Sequence, residues 1–442
     1  MSYNTIIIGA GGRDFFNFLK YFKDNATFHV VCFTADQIPG IENRKFPKQL
    51  AGSLYKKDIL IFPEKDLAKL IKKYKVDYCF LCYSDLSHQK VMEKASLILA
   101  NGANFALLGT KDTMIKSKKP VISVTAVRTG SGKSQTSRKV AEILQSFGKK
   151  VVAIRHPMPY GNLIKQRCQR FASYNDLRKS NVTIEEREEY EPWIKQSIVV
   201  YAGVDYEMII READKEADII IWDGGNNDFS FFESDLSIVV VDPHRAGHEI
   251  NYYPGFVNFL IADVIVINKI DTATRGGIKI VDDNIKKYSP KAVKVYAKSP
   301  LVVDNPNLIK GKNVLVVEDG PTLTHGGMEY GAGTVAAKKY KAKSIIDAEK
   351  YAIGSIKEVY KKYVKLSRIL PAMGYSKKQI LELQRTINSA KCDLVIDGSP
   401  VNLSKLIKIN KPIVNVEYYL DDFGKVKLKD VLNRFKWLNQ MV

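Results

Sequence analysis

Arg128-Thr129-Gly130-Ser131-Gly132-Lys133-Ser134, followed by Gln135, is the segment with the clearest chemical promise. A glycine-rich turn that ends in Gly-Lys-Ser points its main-chain N–H groups at phosphate oxygens. Its lysine reaches the β and γ phosphates, and the next hydroxyl ligates Mg2+. Gly130, Ser131, Gly132, Lys133, Ser134 and Gln135 are therefore the expected nucleotide-binding residues, with Lys133 catalytic and Ser134 a metal ligand. The first glycine of the usual pattern is replaced by Val127. Arg128 is expected to contact the transferring phosphoryl group, in its own site or across a dimer, with a solvated loop arginine as the alternative.

Downstream, Ile219-Ile220-Ile221-Trp222-Asp223 is an apolar strand ending in an acid, followed by Gly224-Gly225. An acid so placed after a P-loop holds Mg2+ directly or through water, and the glycines let the backbone approach the γ-phosphate. Asp223 is thus expected to be catalytic and metal-binding. Asn268-Lys269-Ile270-Asp271 closes a further apolar strand. Asp271 can accept from the guanine N1–H and amine, Asn268 can bond the ring edge, and the Lys269 stem can cover the base. Guanine is favoured by this element and adenine stays open, so the co-substrate is ATP or GTP, with Mg2+.

Arg155-His156 and Asp242-Pro243-His244-Arg245 each follow a strand, where ligands of parallel sheets bind. Arg155, His156, His244 and Arg245 suit an anionic acceptor, phosphorylated or carboxylated. Thr322, Thr324 and His325, among successive glycines, form an expected anion nest. A zinc site is disfavoured, because cysteines are absent nearby and no H-x-x-x-H helix supports one. The acidic run Thr183–Glu191 is expected to be a solvated helix start, capped by Thr183 with Glu186 completing a capping box. Gly9-x-Gly11 begins a dinucleotide fingerprint, but Asp14 stands where the last glycine belongs, so NAD is not expected. Tyr83–His88 offers a further ligand contact.

These residues need strands to end at them and helices to start behind them. Strand and helix alternation predicts an α/β protein. An N-terminal Rossmann-like domain covers residues 1–117, a P-loop NTPase domain 118–305, and a C-terminal α/β region 306–442. The arginine at position 128 occupies the place of the signature lysine in the dimeric SIMIBI class of P-loop NTPases, which makes the middle domain SIMIBI-type and a homodimer the expected assembly.

The 442 residues exceed what one core usually holds. A net charge of +20 raises nucleic-acid binding, but the lysines are spread and no aromatic-basic RNA motif is present, so anionic metabolites are the favoured partners. No apolar run approaches the roughly 20 residues of a membrane span. The N-terminal residues lack signal-peptide character, and a cytoplasmic home is expected. The five cysteines are scattered, and Cys79 and Cys82 lie in an apolar strand, so buried thiols are expected rather than disulfides or a metal site.

Several strings together resemble the family known as cyclic 2,3-diphosphoglycerate synthetases, or predicted GTPases. They are Gly11-Gly12-Arg13-Asp14-Phe15, the segment Ala126–Ser134, Arg155–Gly161, Trp222–Asp228, Asp242–Arg245 and Glu318–Thr322. The resemblance spans nearly the whole chain. It implies ATP-dependent closure of 2,3-diphosphoglycerate into an intramolecular pyrophosphate, with a small phosphorylated acid as substrate. A GTPase switch or metallochaperone acting on a partner protein is the rival, and a nicotinamide-dependent oxidoreductase using the first block is a third reading.

Overall fold

The computed structural model describes residues 2–36, 44–156, 161–225, 228–320, 323, 330–363, 366, 368–374 and 376–435. They form two compact units. One comprises Met1–Arg170, Val199–Tyr296 and Phe423–Val442, and the other Phe171–Ile198 and Ala297–Asp422. The first two sequence blocks therefore share a unit, while a segment of the second block joins the third.

The first unit opens with strands β1 (Tyr3–Ile8), β2 (Phe28–Ala35), β3 (Lys45–Phe46), β4 (Ile59–Pro63), β5 (Tyr78–Leu81) and β6 (Asn104–Ala106), in the order β3-β4-β2-β1-β5-β6. All neighbours run parallel except β3 and β4. The unbroken apolar run of β1 follows from its central place. Ile7 packs with Phe15, Phe18 and Phe22 on one face, and Ile6 and Ile8 pack with Leu67, Leu70 and Ile98 on the other. Cys32, Cys79 and Cys82 are buried free thiols, with Cys79 and Cys82 pushed up to about 12 chiefly by burial.

The turn after β1 uses positive φ at Gly9 (130°) and Gly11 (123°), which favours glycine. Asp14 Oδ1 accepts from the main-chain N–H of Gly11 (2.7 Å), Gly12 (3.0 Å) and Phe15 (2.7 Å). The amides that would cradle a pyrophosphate in a dinucleotide fingerprint are thus occupied by the chain's own carboxylate.

The second sheet of this unit contains β7 (Val121–Ala126), β8 (Val151–Arg155), β9 (Val199–Ala202), β10 (Ile219–Asp223), β11 (Leu236–Val241), β12 (Val264–Ile267) and β13 (Val293–Lys298). Their order is β9-β8-β10-β7-β11-β12-β13, with every pair parallel. The register sets Asp223 beside Arg155 on one side and Val124 on the other, and Val241 beside Ile267. Five candidate segments therefore emerge along one edge of the sheet, at the carboxyl ends of its strands. Helix α1 (Lys133–Ser146) follows β7 and buries Val140, Ala141 and Leu144.

The second unit has its own sheet, which the sequence left open. Its strands are β14 (Leu301–Val303), β15 (Asn313–Asp319), β16 (Ser344–Ile345), β17 (Leu370–Ala372), β18 (Leu394–Gly398) and β19 (Ile413–Tyr418), ordered β14-β19-β18-β15-β16 with β17 also against β15. Only β14 runs antiparallel within that set. Val314–Val317 and Leu394–Ile396 form its core. Helix α2 (Ile184–Lys195) carries the expected Thr183–Glu186 capping box. The expectation of a solvated helix start is corrected here. Ile184 is wholly buried in this core, and Glu185, Glu186, Glu188 and Glu191 are buried with it. A hydrophobic anchor in the first turn carries its acidic neighbours inside.

Candidate active site

Two glycines shape the P-loop, Gly130 at φ 80° and Gly132 at φ 106°. A methyl group on Gly132 would fall 2.0 Å from Asn268 Nδ2, so packing as well as backbone angle excludes a side chain. Asn268 Nδ2 donates to the Ser131 carbonyl (2.9 Å), and Lys269 Nζ donates to the Gly130 carbonyl (2.7 Å) and to Asp242 Oδ2 (2.8 Å). The two residues expected at the nucleobase thus brace the phosphate loop. Asp271 lies exposed in the turn beyond them. Gln135 is buried behind the loop, and Ser134 opens to solvent at the start of α1, where the helix dipole favours anions.

Asp223 is the hub of the site. Its Oδ1 accepts from Lys133 Nζ (2.7 Å) and Ser137 Oγ (2.8 Å), and its Oδ2 pairs with Arg155 Nη1. Burial alone would raise the Asp223 pKa, but Arg155 and Lys133 outweigh it and hold the carboxyl at about 2. Lys133 is pushed down to about 8, first by burial and then by Arg155, against the pull of Asp223. An ammonium group that is short of compensating charge is a receptor for phosphate oxygens.

The other expected residues fall into groups. Arg245 stands at the loop, with Nη2 donating to Ser131 Oγ (3.3 Å) and Asp242 Oδ2 (3.2 Å). His244 turns away to Thr272 Oγ1 (2.9 Å). Arg128 is tied from three sides, by Asp85 Oδ1 (2.6 Å), by His248 Nδ1 (3.2 Å) and by the Tyr252 ring (3.9 Å). Thr129 Oγ1 donates to the same aspartate (2.8 Å). Gly225 makes room for the His156 ring, which a methyl there would meet within 2.9 Å at Cβ, and Gly224 packs on the Trp222 indole. His156 Nε2 lies 2.9 Å from Asp228 Oδ2. Thr322, Thr324 and His325 lie outside the described residues. The neighbouring described amides of Gly331, Gly333 and Thr334 donate to Glu318, again an acid in an amide nest.

Sequence reasoning missed Ser137, Asp85 and Asp228. Ser137 had a signal, since it lies one helical turn after Lys133 and must share its face. Asp85 sat inside the suspected segment Tyr83–His88, and in the structure it holds Arg128 and Thr129 of the loop.

A separate carboxylate group occupies the second unit. Glu185 and Asp397 are each raised to about 7, chiefly by burial. Glu188 is raised well above the usual range by burial and then by Asp319, Glu185 and Asp397. Among the described residues, no group of three or more His, Cys, Asp or Glu is placed to hold a metal ion. These acids are protonated in the folded chain and ionised in the unfolded one between about pH 4 and the folded value. Their contribution to stability is thus full at low pH and is lost as pH rises from about 4 to about 7. Glu185→Gln keeps an acceptor for the Gly374 N–H, 3.1 Å away, and removes the titration. It is expected to flatten the fall in melting temperature across that window and to raise the melting temperature at pH 8 by at least ~2 °C. An unchanged pH profile would contradict the assignment.

A parallel sheet, a phosphate loop at the head of a helix, and a lysine and an arginine meeting on a strand-end aspartate define a P-loop α/β enzyme. No protein-family model matches the chain. The curated arginine synthetase ArcE of Thermococcus kodakarensis is 61% identical over 431 residues, covering 98% of this chain and 96% of that protein. The chain belongs to the arginine synthetase ArcE family. Among solved structures, LpxK from Aquifex aeolicus, determined in complex with ATP, is 14% identical with a TM-score of 0.45, over 78% of this chain and 95% of that one. A UDP-N-acetylmuramate:L-alanyl-γ-D-glutamyl-meso-diaminopimelate ligase from Neisseria meningitides is 12% identical with a TM-score of 0.27, over 68% and 81%. Both likenesses are too loose to carry an argument. The relative's name keeps the synthetase part of the resemblance drawn from the sequence and names a different product. Among the described residues, no helix is long and apolar enough to cross a membrane.

Proposed function

We propose that this chain is an NTP-dependent synthetase that forms arginine. The observation that carries the reading is the Lys133–Asp223–Arg155 hub at the mouth of the P-loop. The product in the relative's name fits the chemistry of such a hub. Arginine's guanidinium carbon bears nitrogen where a ureido precursor bears oxygen, and that oxygen leaves only when activated. The γ-phosphorus breaks its bond to the bridging oxygen of the nucleotide and bonds to the ureido oxygen. An amine nitrogen then attacks the carbon, loses a proton, and expels phosphate with the former ureido oxygen.

Lys133 would leave Asp223 for the β and γ phosphates, with the loop amides around it, and Arg155 and Arg245 would face the charge that spreads over the transferring group. The oxygens of Ser134 and Asp223 are hard donors that suit Mg2+, which would neutralise phosphate charge. Both Asp223 oxygens are engaged in the structure, so Lys133 or Arg155 would have to release one of them for Asp223 to hold the ion. The SIMIBI-type arrangement, the homodimer and a cytoplasmic setting belong to the same reading. ATP and GTP are both carried forward, because Asn268 and Lys269 brace the loop and leave the base preference to other groups. The occupied amide nest at Asp14 argues against NAD.

The test sets the two acceptors side by side. The protein is incubated with Mg2+ and ATP or GTP, once with citrulline and ammonium and once with 2,3-diphosphoglycerate. Arginine in the first mixture is the expected result. A cyclic pyrophosphate signal by phosphorus NMR in the second would restore the phosphorylated-acid acceptor. NTP turnover indifferent to either acceptor would favour a switch.

A further inference from the structure

We propose that Arg13 and Asp228 form the subsite for the amino-acid end of the acceptor, Arg13 taking the α-carboxylate and Asp228 the α-ammonium group. The proposal rests on the arginine-forming reading and names its substrate contacts. Arg13 is only 3% exposed and makes no ion pair among the described residues. Its nearest acidic neighbour in sequence, Asp14, is turned to main-chain amides. The guanidinium lies over the Phe229 ring at 4.1 Å, its Nη2 reaches Thr113 Oγ1 at 3.5 Å, and its Nη1 is buried without a partner. A buried guanidinium nitrogen that lacks a hydrogen-bond partner is a donor that an incoming anion would satisfy.

Asp228, 2% exposed, immediately precedes Phe229, on whose ring Arg13 rests. Its Oδ2 faces His156 Nε2 and its Oδ1 is buried without a partner. Arg13 and Asp228 both lie near enough to Tyr253 and Cys82 for their charges to act on them, yet they do not pair. An unpartnered donor and an unpartnered acceptor of opposite charge, both close enough to act on Tyr253 and Cys82, match the carboxylate and ammonium of one α-amino acid.

The link to the phosphates is short. A methyl on Gly12 would come within 2.5 Å of His156 Cε1, so the turn carrying Arg13 packs on the His156 ring. His156 is the neighbour of Arg155, which pairs with Asp223. The glycine turn after β1 thereby gains a task in place of dinucleotide binding, which is to deliver Arg13 beside the phosphate site.

L-arginine and agmatine, which lacks only the carboxylate, separate the contacts. The full-length protein is titrated with each by calorimetry. The wild type is expected to prefer L-arginine, and Arg13→Met is expected to weaken L-arginine binding roughly 10- to 100-fold while leaving agmatine unchanged. If Arg13→Met does not fold, Arg13→Lys carries the test, with L-arginine binding expected roughly tenfold weaker. A preference for L-arginine that survives either folded variant overturns the subsite and leaves the arginine-forming reading intact. A wild type that binds neither ligand overturns that reading and the subsite with it.

Discussion

Lys133→Met is expected to lower kcat/KM roughly 10^2- to 10^3-fold, as the loss of one preorganised donor to a developing charge does. Binding of the nucleotide is expected to weaken too, because the loop amides and the helix start remain but the ammonium is gone. Folding is expected to survive. Lys133 is already disfavoured as a cation, being pushed down to about 8 by burial, and the methionine side chain fills a similar volume without a charge to desolvate. Asp223 keeps Arg155 and Ser137 as partners. A second readout distinguishes the charge from the shape. Phosphate binding needs the protonated amine, so wild-type nucleotide affinity falls as pH rises through about 8, and the variant's does not. Titration of a fluorescent nucleotide across pH 7 to 9.5 checks both. A variant that binds and turns over like the wild type would remove the basis for the site.

Asp223→Asn is expected to have the larger effect on stability. It neutralises the carboxylate against which Lys133 and Arg155 are both placed, at a cost of about 3–5 kcal/mol. That corresponds to a fall of roughly 10 °C in melting temperature for a unit of this size. Turnover is expected to be lost as well, since the oxygen that would meet Mg2+ is replaced by an amide nitrogen or a neutral oxygen. Adding Arg155→Met to Asp223→Asn should recover part of the lost stability, because one of the two cations that faced the carboxylate is removed. Failure of the second substitution to recover any would mean that Arg155 does not depend on Asp223. Protonation of Asp223 does not reproduce the effect at ordinary pH, because its pKa lies at about 2.

Much of the phosphate site was legible because local rules dictate it. Gly132 needs a positive φ and a bare Cα, the strand before it is buried throughout, and an acid ending Ile219–Asp223, paired parallel to that strand, emerges at the same sheet edge. Partnership was less legible. Asn268, Lys269 and Arg128 have the side chains of ligand contacts, yet each satisfies a nearer group, a loop carbonyl or Asp85. Such choices depend on which buried polar group would otherwise lack a partner, and sequence spacing does not encode that. The acidic run of α2 failed for a related reason. Charge pattern suggested solvent, but Ile184 in a hydrophobic core decided the helix's position and took Glu185 and Glu188 with it. Arg13 was visible only as part of a string, because its meaning comes from the absence of an ion-pair partner among the described residues.

Oxygen-18 transfer tests the central claim most directly. Citrulline carrying the label in its ureido oxygen is converted with Mg2+, NTP and ammonium, and the released phosphate is examined by mass spectrometry. Phosphate carrying one label per arginine formed is the predicted result, since the nucleotide's γ-phosphorus must have bonded to that oxygen. Arginine formed with unlabelled phosphate would contradict it.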